Sequence, residues 1–348
     1  MTRPASTAPR RRRPSAVRTP IPLDPLRFRS CLDTVQEHCA GNLYKFEREN
    51  STIENVLIDG HERTFTLRPP ATPRPGLPLI LVLHGNRATD GRAVRGGDDT
   101  MRRWTSFDTQ ADRFGAVVAY PDAFTGSWAD GRGVTTGDES GVDDVAFLRA
   151  VIDLSAEQHG TRPDHTVVAG ISNGAFMAHR LALEASDRVA AFGAVAGALP
   201  AALSDLRPTH SVSALLINGT ADAMVPIDGG YSRRRGPDGE LRGRTHGLAE
   251  SARRWADWNG CGTVATVADL PAGAGPDEFA VSRWEAGAGA GGTRVAAWTV
   301  HGMGHTWPGA SVPAALAALQ PTPRNFDAAA ELCRFALPQL ASADDRRH

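Results

Sequence analysis

Lysine is almost missing from this chain. Lys45 stands alone among the 38 lysines and arginines, so the positive charge is carried by arginine throughout. A bias of that kind strips isolated arginines of functional weight. Net charge is close to absent as well, at -1, which removes any general attraction to nucleic acid or an anionic membrane. No apolar run approaches the roughly 18 residues that a membrane-spanning helix needs. Cysteine is scarce, with four in 348 residues. Cys31, Cys39, Cys261 and Cys333 make no Cys-x-x-Cys or Cys/His spacing of the zinc-binding kind. Cys31 and Cys39 are open to pairing with each other or with Cys261, and buried free thiols are the other reading. The basic start (Arg10 to Arg13) has no apolar stretch behind it, so no signal peptide is visible and the chain as written reads as cytoplasmic. A different true start would make it secreted.

What is present is globular: 41% apolar and 22% charged residues, in a chain long enough to bury a full core. Residues 1–30, rich in Arg, Pro, Ser and Thr, bury too little to repay ordering and read as a disordered tail. A short, partly helical lead-in over 26–48 overlaps its end. The remainder to 340 reads as one domain, followed by a short polar tail over 341–348. Apolar patterning predicts a hairpin, strands 53–58 and 63–67 around Asp59-Gly60. Continuous apolar runs at 79–83, 116–120, 190–195 and 214–217 read as strands buried on both faces. Amphipathic spacing predicts helices over 142–159, 248–258 and 327–337, with two last strands at 279–284 and 294–300 around a glycine-rich turn. Strands alternating with helices imply right-handed crossovers and a mostly parallel sheet flanked by helices. Residues 228–247 break the rhythm and read as a surface excursion without periodicity.

One stretch organises the rest. A short apolar run from His165 leads into Gly170-Ile171-Ser172-Asn173-Gly174, and a helix-forming segment, 175–184, follows. A strand that turns sharply into a helix strains the middle serine and exposes its hydroxyl. The next N–H then sits at the positive end of a helix. A serine hydroxyl is a poor nucleophile at neutral pH and needs an imidazole, oriented in turn by a carboxylate. Among 11 histidines, His305 lies in a glycine-rich loop just past the last strand, downstream of everything else required. His301, at the strand end, is its rival and is read as positioning the loop. His159, His179 and His210 are read as surface or packing residues. Asp222, after the 214–217 strand, is the candidate acid, ahead of the turn residue Asp228 and the loop residues Asp187 and Asp205. For an oxyanion hole the N–H groups of Asn173 and of Asn86, in His84-Gly85-Asn86-Arg87, are the candidates, with Arg87 as the alternative to Asn86.

Leu83-His84-Gly85, Gly170-Ile171-Ser172-Asn173-Gly174, Gly219-Thr220-Ala221-Asp222 with Val225-Pro226, the segment from Trp255 to Cys261, and His305-Thr306-Trp307-Pro308-Gly309 together resemble the poly(3-hydroxybutyrate) depolymerase and feruloyl esterase-like family. The resemblance covers about residues 50 to 340. It implies an α/β-hydrolase fold and a cofactor-free and metal-free serine esterase with Ser172, Asp222 and His305 as its catalytic residues. It also implies a substrate pocket lined by Trp128 and Trp307. Gly141-Val142-Asp143-Asp144-Val145 matches a family segment too; preceding the serine, its aspartates read as structural. The chain departs from the family in lacking a visible secretion signal, in having Gly174-Ala175 where many members carry Gly-Gly, and in leaving no room for a polymer-binding domain. Small or oligomeric soluble esters are therefore the expected substrates, of hydroxyalkanoate, feruloyl or acetyl type. The same three residues are compatible with amide hydrolysis or acyl transfer, and a non-catalytic binding protein of this fold is a remote alternative. Oligomeric state is not legible. The Arg-rich run (Arg233, Arg234, Arg235, Arg242, Arg244) reads as a solvated insertion; the competing reading has it overhanging the site and selecting anionic substrates.

Overall fold

In the computed structural model, the residues described are 51–87, 97–233, 239, 241–262, 264–287, 289–311 and 320–344. The expected tail and lead-in, Cys31 and Cys39, and the last four residues lie outside them. The buried apolar runs become the spine of a sheet. Leu79–Leu83 (β3), Val117–Pro121 (β4), Thr166–Ile171 (β5), Val189–Val195 (β6), Ser213–Gly219 (β7) and Val295–Val300 (β12) lie parallel. Thr52–Ile58 (β1) and His61–Arg68 (β2) form the expected hairpin, added antiparallel beside β4. Asp59 at its turn has φ 48, where a short side chain that bonds locally is tolerated. At the other end Val281–Ala286 (β11) and Val264–Leu270 (β10) pair antiparallel, giving ten strands in the order β1-β2-β4-β3-β5-β6-β7-β12-β11-β10.

Asp144–His159 (α4), Asn173–Glu184 (α5) and Leu248–Trp258 (α6) cover one face, sealing Leu81, Val168, Phe192 and Leu216 beneath Phe147, Met177 and Trp255. Gly97–Trp104 (α1), Phe107–Phe114 (α2) and Ala328–Asp344 (α7) cover the other, over Ile80, Val167, Leu215 and Val300. A short helix, Thr136–Ser140 (α3), is set by a capping box in which Thr135 accepts from the Asp138 N–H. This mostly parallel, two-sided sheet is the α/β-hydrolase arrangement.

Several segments differ from their sequence expectation, among them α7, which runs to Asp344 where the helix was expected to end at 337 and a polar tail to begin at 341. The excursion over 228–247 contains a strand pair, Gly229–Ser232 (β8) and Arg242–His246 (β9), bridged to the body at Pro200 and Thr245. Its strands carry glycine and arginine, so no apolar alternation marks them; docking against the 199–200 and 132–134 segments orders them. β10, at the sheet edge, makes the last strands three rather than two. The polar helices α1 and α2 were not expected at all. Cys261 and Cys333 are free thiols. Among the described residues no helix is long and apolar enough to cross a membrane.

Candidate active site

Parallel strands deliver their C-terminal ends to one edge of the sheet, and the loops there carry the singled-out residues. β5 stops at Ile171 and α5 begins at Asn173, leaving Ser172 between them with φ 55 and ψ -119. Only close backbone contact makes so sharp a turn. A Cβ on Gly170 would lie 2.1 Å from the Gly174 carbonyl oxygen, and one on Gly174 would lie 2.3 Å from that of Leu83. The strain of a serine in this region costs on the order of 1–3 kcal/mol and persists because the surrounding packing fixes it.

β7 and β12 are neighbours, so the loops after them meet. The Ala221 N–H donates to the Met303 carbonyl at 3.0 Å, and a Cβ on Gly219 would fall 2.1 Å from that same oxygen. This approach places Asp222 beside His305. Asp222 Oδ2 is 2.7 Å from His305 Nδ1, and His305 Nε2 is 2.8 Å from Ser172 Oγ. The buried Asp222 carboxylate is held by the N–H groups of Met224 and Val225, which donate to Oδ1 at 2.7 and 2.9 Å. As a pure acceptor it leaves the Nδ1 proton on His305, so Nε2 is the lone-pair nitrogen facing the serine. His305 is fixed in turn by its own N–H, which donates to Gln320 Oε1.

Asn86, Ser172, Asn173 and His305 border one open cleft of about 510 Å³, with Arg132, Val134, Thr135, Phe176, Met224, Val225, Ser232 and Arg242. Asn173 opens α5, where the first N–H groups have no intrahelical acceptor. The Arg87 N–H is already donated to the Gly126 carbonyl at 2.7 Å, which leaves Asn86 as the stronger candidate on its loop. His84 supports that loop. Its Nε2 meets the Ala123 N–H at 3.1 Å and Asp122 Oδ1 at 3.3 Å, and its Nδ1 lies 2.7 Å from the Gly85 carbonyl oxygen.

The pocket expected at Trp128 and Trp307 is not where those residues lie. Both are buried and neither borders the cleft. Trp128 donates from Nε1 to the His84 carbonyl, and Trp307 meets Phe107 edge-on at 5.7 Å. Large aromatic rings fill the core beneath the loops instead of facing the substrate. His301 binds Ser282 at the strand end, Asp228 is an exposed turn residue, and Asp187 pairs with Arg149. Among the other histidines, His210 is exposed, whereas His179 is fully buried and accepts from Trp255 Nε1. Among the described residues no group of three His, Cys, Asp or Glu side chains is placed to hold a metal.

No protein-family model matches the sequence. A curated relative, "Putative esterase NocK" of Nocardia uniformis subsp. tsuyamanensis, is 32% identical over 296 residues, covering 82% of this chain and 83% of its own. The chain belongs to this esterase family. Among solved structures, an acetyl xylan esterase from Aspergillus awamori aligns over 77% of this chain and 97% of its own, with 12% identity and a TM-score of 0.47. An S-formylglutathione hydrolase from Agrobacterium tumefaciens covers 50% of this chain and 76% of its own, at 15% identity and a TM-score of 0.39.

Behind the cleft lies a buried layer that the sequence does not mark. Asp130, fully buried, receives Arg132 through Nε at 3.0 Å and Nη2 at 2.7 Å, and receives Asn173 Nδ2 at 2.6 Å. Burial pushes the Asp130 carboxyl up, against the pull of Arg132. The Arg132 guanidinium lies 3.8 Å from the centre of the Phe176 ring. Asp144 joins Arg63 Nη2 at 2.5 Å and the Ala129 N–H at 2.7 Å, so it anchors the same loop from below, in keeping with the structural reading of Asp143-Asp144. A carboxylate and an arginine two residues apart around a glycine have no spacing that marks them in sequence.

Proposed function

We propose that this chain hydrolyses carboxylic esters through an acyl-enzyme formed on Ser172. The observation that carries the reading is the hydrogen-bonded line from Asp222 Oδ2 to His305 to Ser172 Oγ, at 2.7 and 2.8 Å, ending on a strained serine that borders an open cleft. Membership of an esterase family supports the reaction class.

Ser172 Oγ attacks the carbonyl carbon as its proton passes to His305 Nε2. Asp222 keeps the ring oriented and stabilises the imidazolium. The negative charge on the former carbonyl oxygen is met by the N–H groups of Asn173 and Asn86, worth about 3 kcal/mol for each donor of this kind. Collapse breaks the bond to the alcohol oxygen, which takes the proton from His305. Water then repeats the sequence in reverse roles, giving its proton to His305 and releasing the acid and free Ser172. No metal or organic cofactor enters these steps. The small cleft favours soluble ester substrates, of acetyl, feruloyl or hydroxyalkanoate-oligomer type as the sequence motifs suggest, within a single catalytic domain.

Ser172→Ala should lower turnover of p-nitrophenyl acetate by on the order of 10⁴-fold or more. Its circular dichroism and thermal midpoint should stay near those of the parent. Near-parental turnover by the purified variant would overturn the mechanism.

A further inference from the structure

Two arginines border the cleft with Ser172 and His305, and they differ in electrical state. Arg132 is bound by both oxygens of Asp130 and stacked on Phe176, so its charge is matched and its fork is occupied. Arg242 donates from Nη2 to the Val134 carbonyl, a neutral acceptor. No ion pair joins Arg242 to any described carboxylate. Asp222, the acid of the catalytic line, is already engaged by His305 and by two backbone N–H groups. Among the described residues, Arg242 thus brings the cleft a positive charge with no carboxylate partner.

That charge is held in place. β9 is tied to the body by the His246 N–H on the Leu199 carbonyl at 2.9 Å and by the Pro200–Thr245 bridge. On β8 the adjoining Arg233 N–H donates to the Met224 carbonyl at 3.1 Å, beside the Asp222 loop. Apolar walls from Val134, Phe176, Met224 and Val225 surround it, and in such a setting a fixed cation attracts an anion more strongly than in open water.

We propose that, building on the Ser172 reading, the cleft selects esters that carry a free carboxylate on the acyl or the alcohol part, with Arg242 as the group that recognises it. A guanidinium matches a carboxylate in shape and charge. A carboxylate brings one negative charge to one unmatched cation, whereas a phosphate brings nearly two. The arginine-rich excursion is thus more than a solvated insertion, and one of its arginines determines specificity.

The test compares kcat/KM for p-nitrophenyl butyrate, its anionic acyl counterpart mono-p-nitrophenyl glutarate, and its anionic alcohol counterpart 4-carboxyphenyl butyrate. The full chain should favour at least one anionic ester over p-nitrophenyl butyrate, and the preference should shrink as salt is raised. Arg242→Gln should cut that anionic-to-neutral ratio by about tenfold or more, the scale of a charge-assisted hydrogen bond, and Arg242→Glu should invert it. Absence of any anionic preference in the parent would overturn the proposal without recourse to a variant. A ratio unchanged in Arg242→Gln would overturn it equally. Turnover surviving in Ser172→Ala would instead locate the failure in the Ser172 mechanism, so the two failures are distinguishable.

Discussion

Asn173 Nδ2 donates to Asp130 Oδ2 at 2.6 Å, which ties the residue after Ser172 to the buried layer behind the cleft. The same side chain receives the Trp128 N–H on Oδ1 at 2.7 Å. Asp130→Ala would remove the partner of Arg132, whose side chain is only 10% exposed, and leave a charge largely buried without its counterion. Loss of such a pair costs about 3–5 kcal/mol. Urea denaturation should show a loss of that size, with kcat falling as Asn173 loses its anchor. Asp130→Asn, which keeps an acceptor for Asn173, should retain more of both.

Ala175 is accommodated by Gly197. A Cβ on Gly197 would lie 2.5 Å from the Ala175 Cβ. Gly197→Ala should therefore destabilise by about 1–3 kcal/mol through overpacking. Adding Ala175→Gly should recover part of that loss. A double-mutant cycle on the two sites should give a coupling of at least about 0.5 kcal/mol, because residues in contact do not add.

Asp222→Asn keeps the shape of the side chain but allows the amide to donate, which invites the wrong His305 tautomer. The corresponding change in a serine protease lowers kcat about 10⁴-fold, and a fall on the order of 10³ to 10⁴ is expected here. Steady-state ester hydrolysis measures it, with the thermal midpoint as a check on folding.

His179 gives a pH dependence of stability unconnected with the active site. It is fully buried, and burial pushes its pKa down to about 3. Its Nδ1 accepts from Trp255 Nε1 at 3.0 Å, so protonation must break that bond. The folded state thus binds fewer protons than the unfolded one, whose histidine titrates at about 6.5. The stability this group contributes is present above that value and is lost as pH falls toward 3, at up to about 1.4 kcal/mol per pH unit. Between pH 7.5 and 5, His179→Phe should show a shallower loss in urea denaturation than the parent, alongside a pH-independent cost of about 1–3 kcal/mol for the orphaned Trp255 N–H.

The parts of the fold legible in sequence are those where burial imposes composition. The 79–83 run became β3 and the 248–258 pattern became α6 with the same limits, because strands covered on both faces and helices over a core have little freedom in what they place there. α1 and α2 were missed because their exposed faces are crowded with Asp and Arg, leaving short apolar stripes such as Met101 and Phe107-Ala111. β10 sits at a sheet edge, and β8 and β9 are held by backbone and small residues. At the site, residues whose order and loop setting are fixed by chemistry stood out: Ser172, Asp222 and His305. Asp130 and Arg132 did not, since their partners lie across turns; Arg242 was named only as one of five arginines in its run, because its partner Val134 is 108 residues away. Trp128 and Trp307 were misplaced because resemblance of a motif does not say which way a ring faces.

The most direct test of the central claim is stoichiometric labelling with a fluorophosphonate, read by intact mass and peptide mapping. The account expects one phosphonyl group per chain, located on Ser172, with ester hydrolysis lost in proportion to labelling and no label on Ser172→Ala. Full hydrolytic activity in a chain that takes up no label, or takes it up at another residue, would contradict it.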